Sequence, residues 1–143
     1  MKFYSGKFKP KFPNKYRGDP TKIQYRSSWE LSVMSYFDKN PDIIWWASEE
    51  VIVPYVSPID GRKHRYFPDF IIKTAKGKTI MIEVKPNAQT KAPQKKKRIT
   101  KKYLNEVKTW GVNQAKWESA IKFCKKKDWE FQILTEKELF KYK

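Results

Sequence analysis

Three residues in the middle of the chain have types and spacing suited to chemistry on a phosphate ester. Asp69 stands in Tyr66-Phe67-Pro68-Asp69-Phe70, and Glu83 and Lys85 stand in Ile80-Met81-Ile82-Glu83-Val84-Lys85. Along a strand successive side chains point to opposite faces, so Ile80, Ile82 and Val84 share one face and Glu83 and Lys85 the other. If the residues on either side of the Ala75–Gly77 turn pair as a hairpin, Asp69 and Glu83 fall at the same end of it. Two hard oxygen donors brought together suit Mg²⁺, with Mn²⁺ as a substitute, because such an ion takes one or two carboxylates and keeps several waters. A lysine beside them can polarise a water or stabilise charge in the transition state. The same letters also fit a solvated strand face followed by a Pro-Asp turn. Against that bland reading, Asp69 lies among Phe67, Phe70, Ile71 and Ile72, a poor setting for an acid without a partner. Glu30 offers a further carboxylate, since it precedes Val33, Met34 and Phe37 by three, four and seven residues and so turns toward the core.

Weaker candidates surround this group. Arg26, four residues before Glu30, is placed either to bind phosphate or to form an i,i+4 ion pair. His64 is near Asp69 in sequence and within reach of a phosphate, although a lone exposed histidine is more often incidental. Gln114 lies on the inward stripe of a later helix. Glu49 and Glu50 open a strand, where at least one faces solvent. Cys124, on an apolar helix stripe, reads as a small core residue.

Positioning these groups requires a specific order of elements. Ser27 or Ser28 caps a helix running to about Lys39 and ended by Asn40-Pro41. Three strands are expected next, from residue 50 to 55, 65 to 74 and 78 to 85, and their short turns imply an antiparallel meander. A short helical pattern covers 103–109 and a clear helix 113–127. Trp129, Phe131 and Ile133 then alternate as a strand, and Thr135 with Glu138 forms a capping box for a last helix, 136–143. The order is αβββ(α)αβα.

The chain has 143 residues with 32 Lys+Arg against 15 Asp+Glu, a net charge of +17, and 39% hydrophobic residues. That length suits one domain and that apolar content a folded core. A single cysteine and a single histidine exclude a disulfide framework and the usual Cys/His zinc sites. No apolar run approaches a membrane span and no apolar stretch follows the basic start, which points to a soluble intracellular protein with no membrane partner. The charge is uneven. Residues 1–26 hold eight positives against Asp19, residues 27–88 hold eight of each sign, and residues 89–103 hold seven positives and no acid. The expected organisation is a basic, aromatic-rich N-terminal arm (1–26) and a domain (27–143) with a basic insertion at 89–103. Lys7, Lys9 and Lys11 of the arm, with Lys91, Lys95, Lys96, Lys97, Arg98, Lys101 and Lys102, are the candidate contacts to a polyanion such as DNA. Phe3, Tyr4, Phe8, Phe12, Tyr16 and Tyr25 among the arm's lysines serve either to stack on bases or to pin the arm to the domain.

Pro68-Asp69 with Glu83-Val84-Lys85, after a helix bearing Glu30, resembles the PD-(D/E)xK superfamily of metal-dependent nucleases. Over nearly the whole chain the sequence is similar to the head completion nucleases of large contractile-tailed bacteriophages. The runs that carry this likeness include Tyr4-Ser5-Gly6-Lys7-Phe8, Gly18-Asp19-Pro20-Thr21-Lys22, Trp46-Ala47-Ser48-Glu49-Glu50, Ser57-Pro58-Ile59-Asp60, Arg65-Tyr66-Phe67-Pro68-Asp69-Phe70 and Trp110-Gly111-Val112-Asn113. The resemblance implies an α/β (α+β) fold with a restriction-endonuclease-like αβββαβ core, a small mixed sheet flanked by helices. It implies a Mg²⁺-dependent deoxyribonuclease of phage morphogenesis that trims or cuts packaged double-stranded DNA so that the filled head can be completed and joined to a tail. Phage head, portal or neck proteins would be its partners, in the host cytoplasm during assembly and at the head-tail junction. Carried over by position, Glu30, Asp69 and Glu83 are the acidic site residues and Lys85 the catalytic lysine. Asp69, Glu83 and the backbone carbonyl of Val84 would hold the metal, and Gln114 occupies a place where a polar site residue sometimes stands. Two other readings stay open: a non-catalytic DNA- or portal-binding connector, and an endonuclease of the junction-resolvase or transposon-end type.

Overall fold

The computed structural model describes residues 5–95 and 97–139. A four-stranded mixed sheet forms its centre, built from β3 (Ile43–Ser48), β6 (Phe70–Thr74), β7 (Thr79–Val84) and β8 (Glu130–Leu134), in the order β3-β6-β7-β8. The first three pair antiparallel, and β8 joins β7 in parallel. A parallel neighbour requires a long crossover, here supplied by the helix α2 (Lys101–Lys126). The helix α1 (Ser28–Lys39) begins where the Ser27 hydroxyl accepts the Glu30 amide at 3.1 Å. Alternate residues of β7 serve two cores. Ile80 and Ile82 pack with Val33, Met34 and Phe37 of α1, together with Trp46 and Phe70. Met81 packs with Trp117, Ala120 and Cys124 of α2. Helices therefore cover both faces of a small mixed sheet, and α1-β3-β6-β7-α2-β8 supplies the expected αβββαβ order.

Several details differ from the expected elements. The first strand of the sheet is β3, not the stretch from residue 50 to 55. Its run Ile43-Ile44-Trp45-Trp46 lacks the alternation that marks a half-buried strand. The later stretch becomes β4 (Val53–Val56), which pairs with β5 (Lys63–Tyr66) as a hairpin outside the main sheet. The strand expected from 65 to 74 is interrupted at Phe67-Pro68-Asp69, because Pro68 has no N–H for a ladder. The two helical patterns at 103–109 and 113–127 are one helix, α2, that runs through Gly111. Lys101 and Lys102 belong to its first turn, capped by the Thr100 hydroxyl, so the basic insertion passes into regular structure. Of the last helix, α3 (Glu136–Leu139) is described, with Glu138 accepting both the amide and the hydroxyl of Thr135 at 2.7 and 2.6 Å. The remainder of its expected span lies outside the described residues, as do Phe3, Tyr4 and Lys96.

The basic N-terminal stretch is pinned to the domain. Its strands β1 (Gly6–Lys7) and β2 (Gln24–Tyr25) pair with each other, and Tyr16 and Ile23 enter the α1-side core. The Tyr16 ring meets Trp46 edge-on at 4.8 Å. Asp38, only 2% exposed, accepts the amides of Lys11 and Phe12 at 2.7 and 3.2 Å. Lys15 donates its ammonium to the carbonyls of Phe37, Asp38 and Asn40 at 2.9, 3.0 and 2.8 Å, where the end of α1 leaves carbonyls without partners. Burial holds the Lys15 ammonium below its usual range, with Asp38 pulling the other way. No described helix is long and apolar enough to cross a membrane.

Candidate active site

Glu83 is the penultimate residue of β7 and faces the α2 side of the sheet, where Met81 precedes it in the core. It is 5% exposed, and its Oε2 is buried without a hydrogen-bond partner among the described residues. Asp69 occupies the bend before β6, and its Oδ2 accepts the amide of Val84, one residue past Glu83, at 2.7 Å. This bond ties the Pro68-Asp69 bend to the end of β7 and brings the two halves of the motif together. Lys85 is held by its amide to the Leu134 carbonyl at 2.9 Å, so β8 fixes the backbone on which the lysine sits. Glu30 stands in the first turn of α1, three residues after its cap.

The electrostatics are those of carboxyls held away from water. Burial pushes Asp69 up to about 6, opposed by the Val84 amide and by Lys85. Burial pushes Glu83 up to about 7, opposed by Lys85 and Lys116 and reinforced by Glu30 and Glu49. Glu30 also rises to about 7, first through burial and then through Asp69 and Glu49. Lys85 thus acts on both Asp69 and Glu83, and Glu30 is felt by Glu83 and itself feels Asp69, as expected of neighbouring groups.

Two members of the site had no prominence in the sequence. Glu49 follows β3 in the left-handed region at φ 56°, and its amide donates to the Asp69 carbonyl at 3.1 Å. A non-glycine residue there carries backbone strain, which collects at functional sites. Lys116 reaches from α2 over the rings of Tyr55 and Tyr66, at 5.8 and 5.6 Å. Both line a depression of about 500 Å³ with Arg26, Arg65, Phe67 and Glu83. The repeated acid in Ser48-Glu49-Glu50 was the available signal for one; Lys116 carried none beyond its place on a helix.

The weaker candidates scatter. Arg26 pairs with Glu49 rather than with Glu30, though its charge still lowers the Glu30 carboxyl. The exposed His64 side chain binds Asp60 at 2.8 Å at the β4–β5 hairpin and does not line the depression. Gln114 lines a different hollow with Trp117, Phe131 and Ile133, so the structure does not bring it to the acids. Lys7, Lys9, Lys11, Lys91, Lys95, Lys97, Arg98, Lys101 and Lys102 are all exposed.

The donor set suits a divalent cation. Among the described residues no three or more His, Cys, Asp or Glu gather into a ready-made cage. Mg²⁺ requires none, since one or two carboxylates and several waters satisfy it. The unpartnered Oε2 of Glu83, buried beside Asp69, is the kind of atom that such an ion would satisfy.

Comparison with known proteins adds two findings. Residues 40–136 match the family described as "TnsA-like endonuclease N terminal". The head completion nuclease of Enterobacteria phage T4 is 45% identical over 137 residues, covering 93% of this chain and 91% of that protein.

Proposed function

Because the chain belongs to the TnsA-like endonuclease family, with the phage T4 head completion nuclease as a relative, we propose that it is a divalent-metal-dependent DNA nuclease of phage morphogenesis. On this reading it cuts or trims packaged DNA so that a filled head can be finished and joined to a tail. The observation that carries the metal dependence is the buried, unpartnered oxygen of Glu83 next to Asp69 and Lys85. Asp69, Glu83 and the Val84 carbonyl would hold Mg²⁺, which when bound lowers the pKa of a water and neutralises charge on the phosphate. The protein's own groups do the rest. The Val84 amide orients Asp69, Lys85 orients the attacking water and stabilises the developing charge, and Glu30, placed on the first turn of α1, takes up the proton that the water gives up. The cationic side chains of Arg65 and Lys116 flank the opening and suit the neighbouring phosphates.

The test is cleavage of plasmid DNA with Mg²⁺ and with EDTA, comparing wild type with Asp69→Asn, Glu83→Gln and Lys85→Met. Each variant should lose at least about 100-fold in rate while keeping its circular dichroism spectrum and its DNA binding. Wild-type rates in Asp69→Asn would overturn the site. A wild-type protein that binds DNA yet cuts under no divalent ion would favour the connector reading. The matched family is also compatible with a junction-resolvase or transposon-end enzyme, which a strong preference for a branched substrate would reveal.

A further inference from the structure

Away from the acids, a groove of about 740 Å³ runs between one face of α2 and the segment 88–93. Asn113 lines it and is 5% exposed. Trp110, another lining residue, has its indole N–H buried and unpartnered. Buried polar groups are ordinarily paired, and one left unpaired costs about 1–3 kcal/mol, so the Trp110 N–H marks a place that an acceptor on a ligand would complete. The far end of the groove is cationic. Lys91, Lys101 and Lys102 line it, within the stretch 89–103 that holds no acid. The first turn of α2 begins there, and the amides of Lys101 and Lys102 precede the one amide that Thr100 caps. Residues 102, 105, 109, 113 and 116 follow one another at helical spacing, so the groove shares a face of α2 with Lys116 at the acidic opening. Between Lys102 and Asn113 that face spans roughly 17 Å.

We propose that the groove takes an unpaired DNA strand leading away from the acidic site, making the preferred substrate a duplex with a single-stranded extension. This deepens the nuclease reading and rests on it. Phosphates suit Lys91, Lys101, Lys102 and the open amides of the helix start. A base suits the Trp110 ring, and its polar edge suits Asn113, Asn105 and Gln89. An intact duplex offers neither a free base face nor an unpaired edge to a groove between a helix and a loop. Lys91, Lys101 and Lys102 outnumber Glu106 in the lining, so the groove favours an anionic occupant, and acidic peptides are the competing class.

Fluorescence anisotropy in EDTA, where nothing is cut, tests this with a blunt duplex and the same duplex carrying a single-stranded tail. Wild type should bind the tailed form about tenfold more tightly, the worth of roughly one stacked base. Trp110→Ala should abolish that preference and hold blunt-duplex affinity within about twofold, stacking being sequence-tolerant and local. Asn105→Ala, at an exposed helix position, should reduce the preference and serves if the tryptophan variant does not fold. Equal affinity of wild type for the two DNAs overturns the proposal, as does a preference that survives both substitutions. Displacement of the tail by an acidic peptide but not by an oligothymidine also overturns it. A protein that prefers tails but cuts with no divalent ion keeps the groove and loses the nuclease reading. A protein that cuts with Mg²⁺ and ignores tails does the reverse.

Discussion

Glu83 and Asp38 are both acids at the end of their element and both nearly inaccessible, but their surroundings give them opposite consequences. Asp38 accepts two backbone amides and serves packing. Glu83 has an oxygen with no hydrogen-bond partner among the described residues, and its carboxyl rises to about 7, chiefly through burial. A folded pKa above the unfolded value means that the native state keeps a proton the unfolded chain has already released. The contribution of Glu83, Glu30 and Asp69 to stability is therefore full below the ordinary carboxylate range and is lost as pH climbs through about 6 to 7. In EDTA, Glu83→Gln should raise the Tm at pH 8 and leave it nearly unchanged below the ordinary carboxylate range, at about pH 4, as read by calorimetry. A lowered Tm at pH 8 would mean that the carboxylate is already paired. The nearness of Asp69, Glu83 and Lys85 was legible because all three lie in or directly beside the ends of two strands that are neighbours in sequence and pair as a hairpin. Glu49 and Lys116 were not, because they reach the site through tertiary contacts: one across the Asp69 carbonyl, the other from a helix more than thirty residues further along.

At the scale of elements, hydrophobic period decided what could be read. Helix α1 was visible from its cap and its apolar spacing, and β7 from its alternation. The strand β3 was hidden by an apolar run without period, and α2 was divided by Gly111, which breaks the pattern and not the helix. A Cβ at Gly111 would meet only Pro58 Cγ, at 3.9 Å, an ordinary contact. Gly111→Ala should thus stabilise the protein by about 0.5–1 kcal/mol, measured by urea denaturation; destabilisation would mean that the helix is interrupted there. The N-terminal stretch could be read as aromatic and basic, but whether it docked depended on Asp38 and on Tyr16 against Trp46, pairs more than twenty residues apart. Asp38→Ala leaves two amides unpaired and should cost about 2–3 kcal/mol. It should also speed proteolysis within residues 6–26 in the native protein; unchanged cleavage there would show that other contacts suffice to hold the stretch.

Over the whole molecule, the charge that suggests DNA is not all available to it. Lys15 is committed to three carbonyls at the end of α1, whereas Lys7, Lys9 and Lys11 remain exposed on a backbone that is itself anchored. None of these three lysines lines the depression that holds Glu83 and Lys116. Replacing Lys95, Lys97 and Arg98 by Gln should weaken duplex binding and lower the slope of log Kobs against log[salt] by up to about 0.9 for each phosphate no longer neutralised. An unchanged slope would mean that the stretch after Lys91 does not touch phosphates.

Chain order gives the parallel pairing of β7 with β8 a meaning during synthesis. A nascent chain that has reached Lys85 already contains every letter of the acidic motif, but β7 is still an open edge. It lacks Ile133 opposite Glu83 and the Leu134 carbonyl that fixes Lys85. Interrupted translation products would thus be exposed to edge-to-edge aggregation, and they would lack the geometry for cutting. On the nuclease reading the strand made late would act as a safety catch: DNA around a translating ribosome would meet no assembled site until residue 134 had been built and docked.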